Sequence, residues 1–446
     1  MNLKGIQALV VGMKKSGVAS AALLAREGAV VRATDLKPLD ELPGVRELNI
    51  PFAQQNPAVF QSADIIVLSP DVPADLAPLE AARRRGVPVI GEVELAAPFL
   101  KGRTIGITGS NGKTTTTSLI GHILRESGVP VQVGGNIGLP VTAMLDTSRE
   151  GGWNVLELSS FQLETIFEFR AHIALALNVT QNHLDRHHTF ENYAAAKGRL
   201  FATQRAGDYA VLNADDAVCV AYAARSAGAP QWFSSRRKVE PGATLSGDQL
   251  MLDGKLLMPA GEIPIRGRHN AENVLAASIA AARAGVSPAA IAAAVRSFRA
   301  VEHRLEFVRS VSGVEFYNDS KATSVDATLK AVDAFSGGLW VILGGKDKGL
   351  EYTGLRAPLA AKAHAALLIG AAAPKIADQL QGAVPLVPAK TIEAAVAHAY
   401  AHAVPGDTVL LAPACASFDQ FDNYEQRGRI FKDLVQALAA KKTGKG

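Results

Sequence analysis

The chain has 446 residues, 48% hydrophobic and 20% charged, without a long low-complexity tract; this excludes a disordered or fibrous protein and predicts two to four domains, each with its own core. The formal net charge of +4 is small for this length. The basic clusters Arg83-Arg84-Arg85, Arg236-Arg237-Lys238 and Lys441-Lys442 lack interleaved aromatics, so they read as solvated surface, and no nucleic-acid partner is expected. Cys219 and Cys415 support neither a disulfide framework nor a zinc site. The opening Met1-Asn-Leu-Lys-Gly-Ile6 has no signal-peptide pattern and no apolar run reaches membrane-spanning length, so a cytoplasmic protein without membrane insertion is expected.

Residues 6–11 predict a buried strand ending at Gly12-Met-Lys-Lys-Ser-Gly17. An alanine-rich helix to about Glu27 and a strand from Val30 to Asp35 follow, making a βαβ unit whose turn suits a nucleotide diphosphate. Lys14, however, stands at the middle glycine of the Gly-x-Gly-x-x-Gly fingerprint. A side chain there obstructs a pyrophosphate from approaching the backbone, which disfavours a nicotinamide-dependent oxidoreductase. Apolar runs at 64–70 and 87–90 continue the alternation, and the first domain is expected to end near residue 95.

The strongest chemical demand comes from Gly106-Ile-Thr-Gly-Ser-Asn-Gly-Lys-Thr-Thr-Thr-Thr117. An apolar strand at 103–107 enters it and a helix over 116–124 leaves it. Backbone N–H groups of such a turn face a phosphate, Lys113 adds a mobile positive charge, and the Thr114 hydroxyl is placed for Mg²⁺. A strict Gly-x₄-Gly-Lys pattern would need glycine at Ile107; the glycines are Gly106, Gly109 and Gly112. A nucleoside triphosphate site is predicted.

Strands at 153–160, 173–178 and 209–213 end in polar residues, as expected where parallel strands deliver side chains to a site at their carboxyl ends. Helices at 191–205, 271–285 and 288–298 alternate with them, and 231–265 reads as a small antiparallel excursion. After His303-Arg304 a third α/β pattern begins, with strands at 340–345, 366–370 and 408–412 and a closing helix from about Gln426 to Ala439. No repeat of solenoid period is present.

Glu157 lies late in a strand expected beside that of the phosphate loop. An acidic side chain in an apolar run is costly to bury unless paired or metal-bound, and Mg²⁺ takes carboxylate oxygen. His183 alone reads more readily as structural, and Lys197 alone as a solvent-facing helix lysine. Lys321, Lys348 and Ser417 follow or separate predicted strands of the third domain, where cations and hydroxyls suit a carboxylate-rich acceptor.

Taken together, Thr108-Gly-Ser-Asn-Gly-Lys-Thr-Thr115, Gly134-Gly-Asn-Ile-Gly138, Leu156-Glu-Leu-Ser-Ser-Phe-Gln-Leu-Glu164, Asn178-Val-Thr with His183 and Asp185, Gly267-Arg-His-Asn270, His303-Arg304, Asn318-Asp-Ser-Lys-Ala-Thr323 and Pro413-Ala-Cys-Ala-Ser-Phe-Asp-Gln-Phe421 with Glu425-Gln-Arg-Gly428 resemble the Mur ligase family. Within it they are similar to the D-glutamate-adding branch; the Asp-Asn-Pro-Arg motif of its diaminopimelate-adding siblings is absent. The resemblance implies an α/β protein of three domains. A Rossmann-like domain at 1–95 would bind the UDP substrate, a central P-loop ATPase domain with a mainly parallel sheet would occupy 96–301, and a Rossmann-like domain at 302–446 would close on both.

The implied reaction uses ATP to phosphorylate the carboxylate of UDP-N-acetylmuramoyl-L-alanine, after which the amine of D-glutamate displaces phosphate. ATP is then a co-substrate, two Mg²⁺ ions take part, no organic prosthetic group is needed, and the enzyme is a monomer whose partners are these small molecules. By the same resemblance Gly109, Asn111, Gly112, Lys113, Thr114 and Thr115 bind ATP together with Asn270, Asn273, Arg304 and Asp319. Thr114, Glu157, His183 and Lys197, the last as a carbamate, hold metal; Lys113, Glu157, His183 and Lys197 are the catalytic set. Ser16, Asp35, Asn136 and His183 would meet the uridine substrate, and Lys321, Thr323, Lys348, Ser417, Phe418 and Tyr424 the D-glutamate.

The chain departs from the family at Lys14 and Lys15, in a loop usually filled by small or apolar residues, at Leu36, where a hydroxyl is expected to reach uracil, and at Asp71, where glycine is usual. Lys14 or Lys15 is expected to contact the substrate diphosphate. A folylpolyglutamate-synthase-like ligase is the nearest rival, but it lacks the complete domain that roughly a hundred residues supply here ahead of the phosphate loop. A P-loop nucleotide switch would leave the lysines, threonine and serine of the third domain without a task.

Overall fold

In a computed structural model the described residues are 2–299 and 301–443; Met1 and Gly446, the outer bounds of the expected domains, lie outside them. The chain forms two compact units, the first from residues up to Glu262 together with Glu272–Arg296, the second from Ile263–Ala271 together with the chain from Ser297 onward.

The first unit opens with strands β1 (Gln7–Val11), β2 (Val30–Asp35), β3 (Phe52–Gln54), β4 (Ile65–Leu68) and β5 (Val89–Gly91). They form a parallel sheet in the order β3-β2-β1-β4-β5. Ala8 and Val10 of β1 enter one core, Leu9 and Val11 the other. This is the two-residue period of a strand covered on both faces, and it explains why β1 reads as a continuous apolar run.

A second sheet follows: β6 (Arg103–Thr108), β7 (Val131–Gly135), β8 (Trp153–Glu157), β9 (Ile173–Ala176), β10 (Tyr209–Asn213), β11 (Ala229–Ser234), β12 (Gly242–Ser246), β13 (Gln249–Leu252) and β14 (Lys255–Pro259). Their order is β14-β13-β12-β11-β10-β9-β6-β8-β7. Ile107 of β6 stands opposite Glu157 of β8 in parallel pairing, so the two strands lie side by side as expected from the sequence. The 231–265 stretch is antiparallel only from β12 onward; β11 and β12 continue the parallel sheet, so the segment extends it rather than departing from it.

Two carboxylates in the short helix Glu92–Ala96 join these sheets. Glu94 accepts hydrogen bonds from the N–H groups of Phe167, Glu168 and Phe169 at 2.8–3.0 Å. Glu92 accepts from the Thr142 N–H at 2.8 Å and the Thr142 hydroxyl at 3.2 Å. Around them one core runs from Leu3 and Val10 to Phe201 and Tyr222. The basic clusters are partly structural rather than merely solvated, because Arg85 donates to the Phe60 carbonyl and Arg237 to that of Ala214.

The second unit holds β15 (Glu306–Val311), β16 (Val314–Asn318), β17 (Leu339–Gly344), β18 (Ala363–Ile369), β19 (Leu386–Lys390) and β20 (Thr408–Leu411), in the order β15-β16-β20-β17-β18-β19. The β15–β16 hairpin is missing from the sequence reading; a register shift between Phe307 and Arg309 breaks its alternation. No helix among the described residues is long and apolar enough to cross a membrane.

Burial raises the Glu92 carboxyl to about 7 against the hydrogen bonds from Thr142 that oppose it. Between the unfolded value of 4.5 and about 7 the folded chain holds a proton that the unfolded chain has lost. The stability from this group is therefore full below the lower value and is lost as pH rises through the upper one, a swing of about 3 kcal/mol. Thermal denaturation followed from pH 5 to pH 8 should show that slope, and Glu92→Gln should flatten it and raise the midpoint at pH 8.

Candidate active site

Strand β6 runs into the phosphate loop, and the helix Lys113–Glu126 leaves it. Gly112 caps that helix at φ 83°, and a Cβ there would lie 2.3 Å from Asn273 Oδ1. Both the left-handed backbone and the close neighbour require glycine. Asn273 is buried against the loop, with its Oδ1 3.2 Å from the Thr116 hydroxyl. The Asn111 N–H donates to Asn178 Oδ1 at 2.8 Å, and the Ser110 hydroxyl lies 2.9 Å from that of Tyr193. The segment after β9 thus braces the loop from one side.

Lys113 Nζ donates to the carbonyls of Gly109 and Ser110 at 2.8 and 3.0 Å. Lys197 Nζ donates to the same Gly109 carbonyl at 2.8 Å. Lys197 is not the solvent-facing lysine that its helix suggested: it is 1% exposed. The buried face of the helix Phe190–Ala202 contains Tyr193, Ala196, Lys197 and Leu200, and the Lys197 ammonium sits over the Tyr193 ring, 4.6 Å from its centroid. Burial first, and the Lys113 cation second, push the Lys197 amine well below the usual lysine range.

Glu157 is 2% exposed at the end of β8. Its Oε1 accepts from Asn136 Nδ2 at 2.9 Å, while its buried Oε2 has no hydrogen-bond partner. An unsatisfied buried carboxylate oxygen beside a phosphate loop is the donor that Mg²⁺ requires. Among the described residues no three His, Cys, Asp or Glu side chains are grouped to hold a metal. Mg²⁺ typically uses one or two carboxylates and completes its shell with phosphate oxygens and water. The free, buried oxygen of Glu157 is a donor of the kind that fits such an ion.

His183 caps the helix Leu184–His187 in a left-handed conformation, φ 52°, with its ring 4.9 Å from that of Phe161. It is exposed, not a core histidine. His187, which the sequence reading passed over, lies with Nε2 2.9 Å from the Ser160 hydroxyl and Nδ1 3.0 Å from Glu164 Oε1; Arg186 donates to the other Glu164 oxygen at 2.9 Å. Ser160 is buried, and this row ties the segment carrying His183 to the helix that follows β8. Ser159 and Gln162 form a capping box for the helix Ser160–Leu163, a structural reason for part of the Ser-Ser-Phe-Gln motif.

At the carboxyl edge of the first sheet a cavity of about 1080 Å³ is lined by Gly12, Lys14, Lys15, Asp35, Leu36, Asp71 and Leu139, among others. Asp35 accepts from the Met13 and Lys37 N–H groups at 2.6 and 3.0 Å, and Ser16 lies in the first turn of the helix Lys15–Arg26. Asn136 is brought to Glu157, as described.

In the second unit the Lys348 ammonium donates to the Thr323 carbonyl at 3.3 Å, and the Lys321 ammonium lies 5.3 Å from the centroid of the Tyr424 ring. Ser417 is buried and Phe418 exposed. Burial lowers the Lys348 amine and raises the Asp319 carboxyl to about 6, with Arg304 opposing the latter. Asn270 belongs to this unit and donates to the Arg266 carbonyl at 2.7 Å. Arg427, absent from the expected site residues, is fully buried and ties the loops together: it donates to the Ser320 hydroxyl and carbonyl at 2.9 and 2.7 Å and to the Cys415 carbonyl at 3.3 Å. Its place in Glu425-Gln-Arg-Gly428 was the available signal.

A parallel sheet that runs β6 into a glycine turn and a helix opening with Lys113 and Thr114, and sets the unsatisfied Glu157 on the adjacent strand, defines a P-loop nucleotide-binding protein. Family models match three stretches: the Mur ligase MurD-like N-terminal domain over residues 6–91, the Mur ligase middle domain over 107–281, and the Mur ligase glutamate ligase domain over 303–415. A UDP-N-acetylmuramoylalanine--D-glutamate ligase of Solibacter usitatus is 80% identical over 99% of this chain and 100% of its own length. The ligase of that name from Acidobacterium capsulatum is 54% identical over 98% and 97%. A pseudomurein peptide ligase type C of Methanothermus fervidus shares the fold, with TM-score 0.60 and 18% identity over 97% of this chain and 100% of that one. The chain belongs to the Mur ligase family.

Replacing Arg427 by Met leaves the Ser320 and Cys415 carbonyls without their buried donor. Denaturant unfolding should show a loss of about 2–3 kcal/mol, and Arg427→Lys should recover only part of it, because an ammonium cannot reproduce the planar fork.

Proposed function

We propose that this chain joins D-glutamate to UDP-N-acetylmuramoyl-L-alanine with the conversion of ATP to ADP and phosphate, a step in peptidoglycan precursor synthesis. The observation that carries this reading is the 80% identity to a ligase of that name along essentially the whole chain. By role, residues 1–95 take the uridine substrate, 96–301 take ATP, and 302–446 take the amino acid. We read it as a cytoplasmic monomer acting on small molecules.

A carboxylate is a poor acyl donor because its oxygen leaves badly; transfer of the ATP γ-phosphoryl group to it supplies a good leaving group. Lys113 exchanges the Gly109 and Ser110 carbonyls for the β and γ phosphates, holding them in line while the loop N–H groups take up charge. Thr114 and Glu157 would hold one Mg²⁺, whose chemistry is to neutralise charge on the phosphate oxygens. His183 and Lys197, the latter as a carbamate, would hold a second. The Lys197 modification is supported by its burial, which favours loss of the ammonium proton: the lone pair of the resulting neutral amine forms the N–C bond to CO₂ and a second proton leaves, so that with two protons released a buried cation becomes an anion. The ATP site is completed by Gly109, Asn111, Gly112, Thr115, Asn270, Asn273, Arg304 and Asp319, and the muramoyl substrate meets Asn136.

Lys321, Thr323, Lys348, Ser417, Phe418 and Tyr424 receive D-glutamate, with the two lysines as counter-charges to its carboxylates. Its free amine then attacks the acyl phosphate, forming the C–N bond, and the tetrahedral intermediate expels phosphate as the nitrogen loses a proton. Holding both reactants in place accounts for much of the rate.

Phosphate release from ATP and Mg²⁺ should require both the uridine substrate and D-glutamate, should fail with L-glutamate, and should be matched by an amide product. Equal release with no amino acid would overturn the ligase reading. Protein equilibrated with ¹³C-bicarbonate should give a carbamate resonance by NMR that is missing from Lys197→Met; a resonance that survives this substitution would assign the modification elsewhere.

A further inference from the structure

We propose that Asp71 is an internal stand-in for substrate phosphate: it holds Lys14 at the mouth of the first-sheet cavity, and the substrate diphosphate takes Lys14 from it. The inference rests on reading that cavity as the uridine-substrate site. Lys14 follows β1 and Asp71 follows β4, the pair of strands from which the sheet order runs outward in both directions. Ligands of such sheets bind in the crevice outside these carboxyl ends.

The two residues, unusual one by one, meet in space: Lys14 Nζ lies 2.7 Å from Asp71 Oδ2. Lys14 is also the N-cap of the helix Lys15–Arg26, which has no side-chain cap and no acidic residue in its first turn. Two lysines at the positive end of a helix are mutually unfavourable unless an anion sits there. Asp71 fills that role for Lys14, whereas Lys15 has no carboxylate partner among the described residues. The other nearby carboxylates are engaged, Asp35 with two backbone N–H groups and Glu41 with Lys37 at 3.1 Å.

The backbone around the pair is fixed. Arg186 donates to the Val72 carbonyl at 2.7 Å, and the Ser69 hydroxyl donates to that of Gly12 at 2.6 Å. A Cβ on Gly17 would fall 1.9 Å from the Gly12 oxygen, so the turn is closed tightly. Only the side chains are at liberty, 74% and 62% exposed for Lys14 and Asp71. An ion pair so exposed is weak and screened by salt. A diphosphate, carrying more charge and aided by the helix terminus and Lys15, displaces the carboxylate without moving the chain. Asp71 then opposes the bound diphosphate twice, by competing for Lys14 and by repelling it.

Calorimetric titration with UDP of the full-length protein and its Lys14→Met, Asp71→Asn and doubly substituted forms tests this. Lys14→Met should weaken binding roughly tenfold, the effect of losing one charge-assisted contact. Asp71→Asn should tighten it about threefold, the range of an exposed pair. In the Lys14→Met background the gain from Asp71→Asn should shrink, because only repulsion is left to remove. An unchanged affinity in Asp71→Asn, or an equal gain in both backgrounds, would overturn the proposal. Absence of UDP binding by the unsubstituted protein would instead overturn the uridine reading on which it rests.

Discussion

The phosphate loop depends on a single carbonyl. Gly109 O receives both Lys113 and Lys197, two cations brought together beneath a turn with the buried, half-satisfied Glu157 on the neighbouring strand. This is an unfavourable set of charges, since burial and like charge both work against the Lys197 ammonium and Glu157 opposes them only in part. Phosphate, or conversion of the lysine to an anion, relieves the like charge, and a divalent cation would satisfy the free Glu157 oxygen. Buried, incompletely compensated charges of this kind cluster at functional centres.

That arrangement needs rigid surroundings, and the first unit supplies them with polar staples inside an apolar core. Glu94 collects three successive N–H groups. Asn111, Ser110 and Asn273 lock the loop to the segments behind it. Arg186 links Glu164 to the backbone at Val72, so the helix carrying His183 and the turn carrying Asp71 are held by one guanidinium. The second unit uses the same device. A fully buried Arg427 satisfies carbonyls from two loops at once, which sets Lys321, Thr323 and Ser417 on a fixed frame.

Much of this was legible in the chain. The apolar runs of β1, β6, β9, β10, β17 and β20 announce buried parallel strands, because a strand covered on both faces has no polar alternation to obscure it. The phosphate loop announces itself because its geometry leaves little choice at Gly112 or Lys113. The β15–β16 hairpin escaped notice because an edge strand with a bulge carries no such run, and the pairing of β11 with β12 depends on register across a connection that no local pattern specifies.

The sequence by itself determined the α/β class, the nucleotide turn and the family, since these rest on local periodicity and on residues whose chemistry is nearly obligatory where they stand. Only the tertiary structure decided that Lys197 is buried, that Glu157 keeps one oxygen unsatisfied, that Arg427 joins two loops and that Lys14 meets Asp71. Each of these is a contact between residues distant in the chain, set by how sheets and helices pack. Burial and charge pairing are properties of that packing, and one-dimensional spacing does not contain them.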